Sequence, residues 1–313
     1  MPISVYAVKH KDTQVVSASR SGGVFTALSD LVLDQGGVVY GCVLDENLVA
    51  RHVRACDRAT RDKMRGSKYI QSSLGDSFKL VEADLASGIK VVFTGTSCQV
   101  AGLKAYLGRR YDNLLLVDIV CHGVPSPRVW REFVAWHEGR KGQKVVSADF
   151  RNKGVYGWAA HKESLFFEDG SRVDDKTFRN LFNSLLVQRP SCYECRYKSV
   201  EHPGDITIAD YWGIEKAAPE FNDNKGVSLV LINSEAGAAW FESAKAVVTW
   251  KATRLEDSMQ PSLRGPYPRP DKRDEFWADM DRMKFMGIAK KYGGYGLKND
   301  VVSKIKGYLK KGV

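Results

Sequence analysis

No stretch of this 313-residue chain approaches the run of about 18 apolar residues that a membrane-spanning helix needs. The opening, Met1-Pro2-Ile3-Ser4-Val5-Tyr6-Ala7-Val8-Lys9-His10, has no basic stretch ahead of an apolar one. A secretory leader is therefore not expected, and the expected compartment is the cytoplasm. Cysteine is sparse. Six cysteines in a chain of this length do not make a disulfide framework, which leaves packing, catalysis or metal binding as their uses. There is no internal repeat, no low-complexity linker, and no G-x-G-x-x-G after the first strand, so a Rossmann dinucleotide site is not supported. Zinc-finger spacing, RNA-binding signatures and basic-aromatic stripes are missing too, which argues against nucleic acid as a partner.

What is present is ordinary globular material with an excess of base. Hydrophobic residues make up 43% of the chain and the formal charge is +10. A dispersed positive charge suits acidic ligands such as dinucleotide phosphates, an acidic redox partner or an anionic surface. Gly22 to Leu33 reads as a helix after a glycine turn, and Val38 to Leu44 as a strand. A helix near 76–86, the strand Val91-Val92-Phe93, a helix from Gln99 and the strand Leu114 to Val120 follow. Helices alternating with short apolar strands predict an α/β fold with a mixed, largely parallel sheet covered by helices. From about residue 145 the pattern turns to alternating strands, with a hairpin at Asp169-Gly170, predicting an added antiparallel portion. The organisation expected is a catalytic domain over 1–255 and a peripheral, basic C-terminal segment over 256–313.

Cys192-x-x-Cys195 is the most specific local signal, because two thiols three residues apart at a turn can share one metal centre. A redox dithiol is the alternative, but Pro190 before it and Arg196-Tyr197-Lys198 after it are not thioredoxin-like surroundings. Cys98 and Cys121, each expected at a strand end, are the natural remaining ligands of a four-thiolate site. Cys42, inside an apolar strand, reads as packing, and Cys56, in a polar run, as a surface thiol. Four thiolates suit a four-iron cluster and a tetrahedral zinc alike.

Three segments are rich in the groups that cradle phosphate. Ser19-Arg20-Ser21-Gly22-Gly23 precedes a helix, where exposed amides and the helix dipole favour anions. Arg65-Gly66-Ser67-Lys68-Tyr69-Ile70-Gln71-Ser72 combines two cations, hydroxyls and an aromatic ring, and Thr94-Gly95-Thr96-Ser97 closes a strand.

Taken together these blocks resemble the coenzyme F420 hydrogenase/dehydrogenase beta-subunit family. The matching stretches are Ser21 to Thr26, Gly66 to Ser72, Gly95 to Lys104, Cys121 to Pro127, Arg189 to Cys195 and Gly204 to Gly213, in the expected order. The resemblance implies an oxidoreductase with FAD beside a four-iron, four-sulfur (4Fe-4S) cluster. Such enzymes pass electrons between a ferredoxin-like or deazaflavin-type carrier and an organic substrate. Relatives also occur in polysaccharide biosynthesis. Mapped onto this chain, Cys98, Cys121, Cys192 and Cys195 become cluster ligands, and Ser21, Gly22, Gly23, Ser67, Lys68, Tyr69 and Thr96 become flavin contacts, with Arg65 and Thr94 beside them. Two departures stand out. Ser97 occupies a position where the family usually has proline, and the N-terminal ferredoxin module of many bacterial members is missing. Electrons are then expected from a separate ferredoxin-like donor or partner subunit.

His122, next to a proposed ligand, is the expected catalytic residue, as a proton donor or as a hydrogen-bond donor to a cluster sulfur; fixing the Cys121 turn is its alternative role. Arg151, Lys153 and Trp158 are candidates to line a pocket for a small acidic substrate. Asp205 and Asp210 read as structural, and Trp212 as core. At the C-terminus Val301, Val302, Ile305, Tyr308 and Leu309 share one face among lysines, which fits a domain cap or a peripheral membrane contact. The rival functions are a zinc-stabilised, non-catalytic docking subunit and a transferase of polysaccharide assembly.

Overall fold

The computed structural model describes residues 1–296. The C-terminal helix expected around Val301 to Leu309 lies outside these residues. The strands are β1 (Ser4–His10), β2 (Val38–Leu44), β3 (Ala50–Ala55), β4 (Val91–Thr96), β5 (Leu114–Ile119), β6 (Val145–Asp149), β7 (Glu163–Phe167), β8 (Arg172–Asp175), β9 (Ile206–Asp210), β10 (Ser228–Ile232) and β11 (Val248–Thr253). Eight of them form one sheet in the order β11-β1-β10-β9-β5-β4-β2-β3. Its centre, β9-β5-β4-β2, is parallel, and both flanks are antiparallel. The apolar run Leu114-Leu115-Leu116-Val117 is buried, as a central strand covered on both faces requires. β6, β7 and β8 form the separate antiparallel sheet, turning at the predicted hairpin.

The topology explains where a site can form. β5 and β9 are neighbours in the sheet, yet some 85 residues of chain separate them. That insertion leaves at the carboxyl end of β5 and carries the helix Pro127–Lys141, the small sheet, the helix Thr177–Asn183 and the Cys192–Cys195 turn. It has a core of its own, built from Trp130, Phe133, Phe150, Phe167, Phe178 and Leu181.

The segment after residue 255 differs from expectation. Its helices Arg273–Arg282 and Phe285–Lys291 put Phe276, Met280, Phe285, Ile288 and Ala289 into the core of the insertion. Those residues alternate with charged ones, so the composition reads as polar while one face of each helix is fully buried. No helix among the described residues is long and apolar enough to cross a membrane.

Candidate redox site

A cavity of about 820 Å³ opens at the carboxyl ends of β4, β5 and β9, where open α/β sheets collect ligands. It falls within the size range of cofactor pockets. Ser21, Gly23, Arg65, Ser67, Lys68, Tyr69, Thr94, Thr96, Cys98, Cys121 and His122 all line it. Segments separated by up to a hundred residues thus face one space.

Gly22 is the exception. It does not line the cavity: a Cβ there would stand 2.2 Å from the Val8 carbonyl oxygen, and its N–H donates to Ser228 Oγ at 3.0 Å. This glycine permits close packing of the loop against β1 and β10. Gly23 has φ of 93° and starts the helix Val24–Leu33, a left-handed conformation that glycine adopts without strain.

The floor of the cavity is organised by Asp210 at the end of β9. Its carboxylate accepts from Arg151 Nη1 at 2.7 Å, from Trp158 Nε1 at 3.0 Å and from the Ser21 hydroxyl, and pairs with Arg20 Nε at 3.6 Å. Burial lowers the pKa of the Arg20 guanidinium, and Asp210 opposes that shift. Arg151 also donates to the Trp158 carbonyl at 3.0 Å, and Trp158 stacks on Trp212 at 4.9 Å and 11°. Trp212 is 39% exposed and faces the cavity, so the core placement expected for it is corrected. Asp210 and Asp205 have the structural hydrogen bonds predicted for them, Asp205 accepting from the Leu116 N–H and the Ser234 hydroxyl.

On the opposite wall Lys68 is held by the Lys63 and Arg65 carbonyls at 2.8 and 3.0 Å, and burial pushes its pKa down to about 8. Arg65 donates to Thr26 Oγ1 at 3.1 Å. The Tyr69 ring packs among Phe150, His161 and Phe182. Thr94 spends its hydroxyl proton on the Tyr40 carbonyl, so it offers a ligand only a lone pair. Thr96 precedes the helix Ser97–Leu107, and its N–H is accepted by Gln99 Oε1 at 3.0 Å. Ser97 is the first helical residue, a position where proline is well accommodated. Its hydroxyl instead donates to the Ile119 carbonyl, tying the helix start to the end of β5.

β4 runs straight into that helix, so Cys98 sits in the first helical turn and not on a loop; it remains exposed. Cys121 follows β5. Its segment is zipped antiparallel to the one bearing the Cys-x-x-Cys turn: Ser126 N–H donates to Val187 O, and Arg189 N–H to Val124 O at 3.0 Å, with Pro125 bridging Gln188. Cys121 and Cys192 each lie four residues beyond that bridge, so the pairing brings them opposite each other. Burial pushes the Cys121 thiol up to about 12, with Cys192 and Cys98 adding to the rise. Cys192 is shifted the same way, by burial first.

Lys198, which sequence reading passed over, completes the group. It is 5% exposed, faces Cys121, Cys192 and Cys195, and donates to the His122 carbonyl at 2.9 Å. A buried ammonium beside three thiols offsets thiolate charge, and nothing in C-x-x-C-x-x-K announces that role. The His122 ring packs on Phe182 and Tyr267, and burial lowers its pKa to about 4. No three His, Cys, Asp or Glu side chains among the described residues lie close enough together to hold a single metal ion. Of the acidic-substrate candidates, Arg151 lines the cavity, Lys153 lines a small adjoining niche with it, and Trp158 stands behind.

The sequence model for the C terminus of the beta subunit of coenzyme F420 hydrogenase/dehydrogenase matches residues 88–258, the span that holds all four of these cysteines and Asp210. Among solved structures, a chain of the xenon-derivatised F420-reducing NiFe hydrogenase complex from Methanosarcina barkeri superposes with a TM-score of 0.53 at 20% identity. The alignment covers 80% of this chain and 82% of that one. No curated protein matches. The match spans more than half of the sequence and the folds agree, so the chain belongs to the coenzyme F420 hydrogenase/dehydrogenase beta-subunit family.

Proposed function

We propose that this protein is an oxidoreductase using FAD and one 4Fe-4S cluster, passing electrons between a ferredoxin-like or deazaflavin-type carrier and a small anionic organic substrate. The observation that carries the reading is the placement of Cys121, Cys192 and Cys195 around buried Lys198, with Cys98 near Cys121 and Cys192, and with Cys98 and Cys121 at the cavity wall.

Four thiols suit a four-iron cluster and a zinc ion alike, and the family resemblance favours the cluster. Cys192 and Cys98 are near enough to Cys121 for their charges to raise the pKa of its thiol. When bound, a flavin supplies two-electron chemistry and a cluster single electrons. The chain's own part is binding and charge. Arg20, Arg65, Lys68, Arg151 and Arg189 line the cavity against the single carboxylate of Asp210, a balance that attracts phosphates and an acidic substrate. Ser67 and Thr96 offer hydroxyls, Tyr69 a ring edge, and Lys198 holds positive charge where thiolates must form.

Anaerobic purification followed by iron, sulfide and flavin assays tests this. Four irons and one flavin per chain are expected. Cys192→Ser or Cys195→Ser should remove the iron and leave the flavin. Iron retained in both variants refutes the ligand assignment; a colourless protein with one zinc overturns the reading and favours the docking-subunit alternative.

A further inference from the structure

Two-electron reduction of an organic group inside a cavity requires protons as well as electrons. On the cysteine wall Lys198 is committed to the thiols and the His122 carbonyl, and the His122 ring is packed against Phe182 and Tyr267. On the other side, His161 lines the cavity from the loop before β7, its ring 5.2 Å from that of Tyr69. Its Nε2 stands 3.3 Å from Glu163 Oε1, within reach but not aligned as a hydrogen bond, and neither atom has any hydrogen-bond partner among the described residues. Glu163 is 1% exposed, and its second oxygen accepts the Arg179 N–H at 3.3 Å. Across the β7–β8 pairing Glu163 lies opposite Asp175, whose Oδ2 is 3.4 Å from Nε2 of buried His137. Four titratable side chains thus lead from the cavity into the insertion: His161, Glu163, Asp175 and His137.

Their surroundings set the protonation. Burial pushes the Glu163 carboxyl up to about 8, with Asp175 adding to the rise and Arg179 opposing it. Burial also holds His161 down to about 3, and the charges of Arg151, Arg179 and Arg20, with His122, push the same way. At neutral pH the pair is a carboxylic acid beside a neutral imidazole.

We propose that Glu163 and His161 form the proton port of the cavity. Glu163 gives its carboxyl proton to His161 Nε2 while the proton on the other ring nitrogen leaves for the group being reduced. Glu163 is left as a carboxylate beside Arg179 until it is reloaded past Asp175. The step moves a proton only; the electrons are those of the redox reaction proposed above, on which this inference rests. Glu163 acts through His161 and is a positioning and storage residue; His161 faces the reacting group.

The test uses the flavin-loaded protein, reduced with dithionite and mixed with either of two acceptors. Besides the hydrogen that the reduced flavin itself carries, a water-soluble quinone takes one proton from its surroundings; ferricyanide takes none. In the wild type, quinone reduction should slow as pH rises through about 8, where the Glu163 acid is lost. Glu163→Gln should slow it by about tenfold or more at pH 7 and flatten that profile, within the range for loss of general-acid assistance, with the ferricyanide rate unchanged. His161→Gln should reproduce the split. Quinone rates retained in both variants, or equal slowing with both acceptors, overturn the port. A preparation without flavin defeats the cofactor reading instead. The port is then decided on the unloaded protein: a carboxylic-acid infrared band at pH 7, lost in Glu163→Gln, supports it, and no such band in the wild type overturns it.

Discussion

Replacing Asp210 by alanine removes the one carboxylate that holds the cavity floor together. Arg20 and Arg151, 11% and 8% exposed, would then face each other with no counter-charge, and Trp158 Nε1 and the Ser21 hydroxyl would lose their acceptor. Removing one partner of a buried ion pair costs about 3–5 kcal/mol, because the desolvated partner stays behind uncompensated. For a chain of this size about 2 °C of melting temperature goes with each kcal/mol, so a fall of about 6–10 °C is expected. Asp210→Asn keeps the shape and most hydrogen bonds, so it should lie between wild type and alanine. Thermal melting of the three proteins, with flavin affinity measured in parallel, is the assay. A melting temperature for Asp210→Ala within about 2 °C of wild type, corresponding to about 1 kcal/mol, would refute the view that this carboxylate is structurally essential. Loss of flavin affinity without loss of stability would assign Asp210 to the ligand and not to the floor.

Phe276→Ala should destabilise the protein by about 3–5 kcal/mol, since the ring is fully buried among Trp277, Tyr292 and the core of the insertion. Urea unfolding reads this, and a loss below about 1 kcal/mol would return the C-terminal helices to the periphery. Stability should fall on both sides of a mildly acidic optimum. The native state binds fewer protons than the unfolded chain where His52 and His161 are held down, to about 4 and about 3, so stability drops as pH falls from 6.5 toward 4. It binds more protons where Glu163 is raised from 4.5 to about 8, so stability also declines as pH rises through that window. Chemical denaturation across pH checks both slopes. Glu163→Gln should abolish the alkaline one, and an unchanged slope would contradict the burial argument.

Local pattern accounts for much of the architecture. The apolar runs at Val38 to Leu44 and Leu114 to Ile119 are strands because they are continuous, β-branched or leucine-rich, and bounded by turns. The Asp169-Gly170 hairpin was legible for the same reason. Cys192-x-x-Cys195 and the hydroxyl-rich loops stood out as candidates, since residue type and spacing limit what a segment can bind.

Other features depend on which distant segments meet, and no local pattern encodes that. Gly22 looks like part of an anion cradle until Val8 is found packed against it. Lys198, His161 and Glu163 belong to no motif; they matter through burial and neighbours. Sequence alone determined most of the elements and the family, and picked out the candidate thiols. Only the tertiary structure decided that an insertion between two adjacent strands folds back to set Cys121 opposite Cys192, and that a carboxyl group is buried behind the cavity wall. Both follow from packing across long stretches of chain, where burial sets charge state.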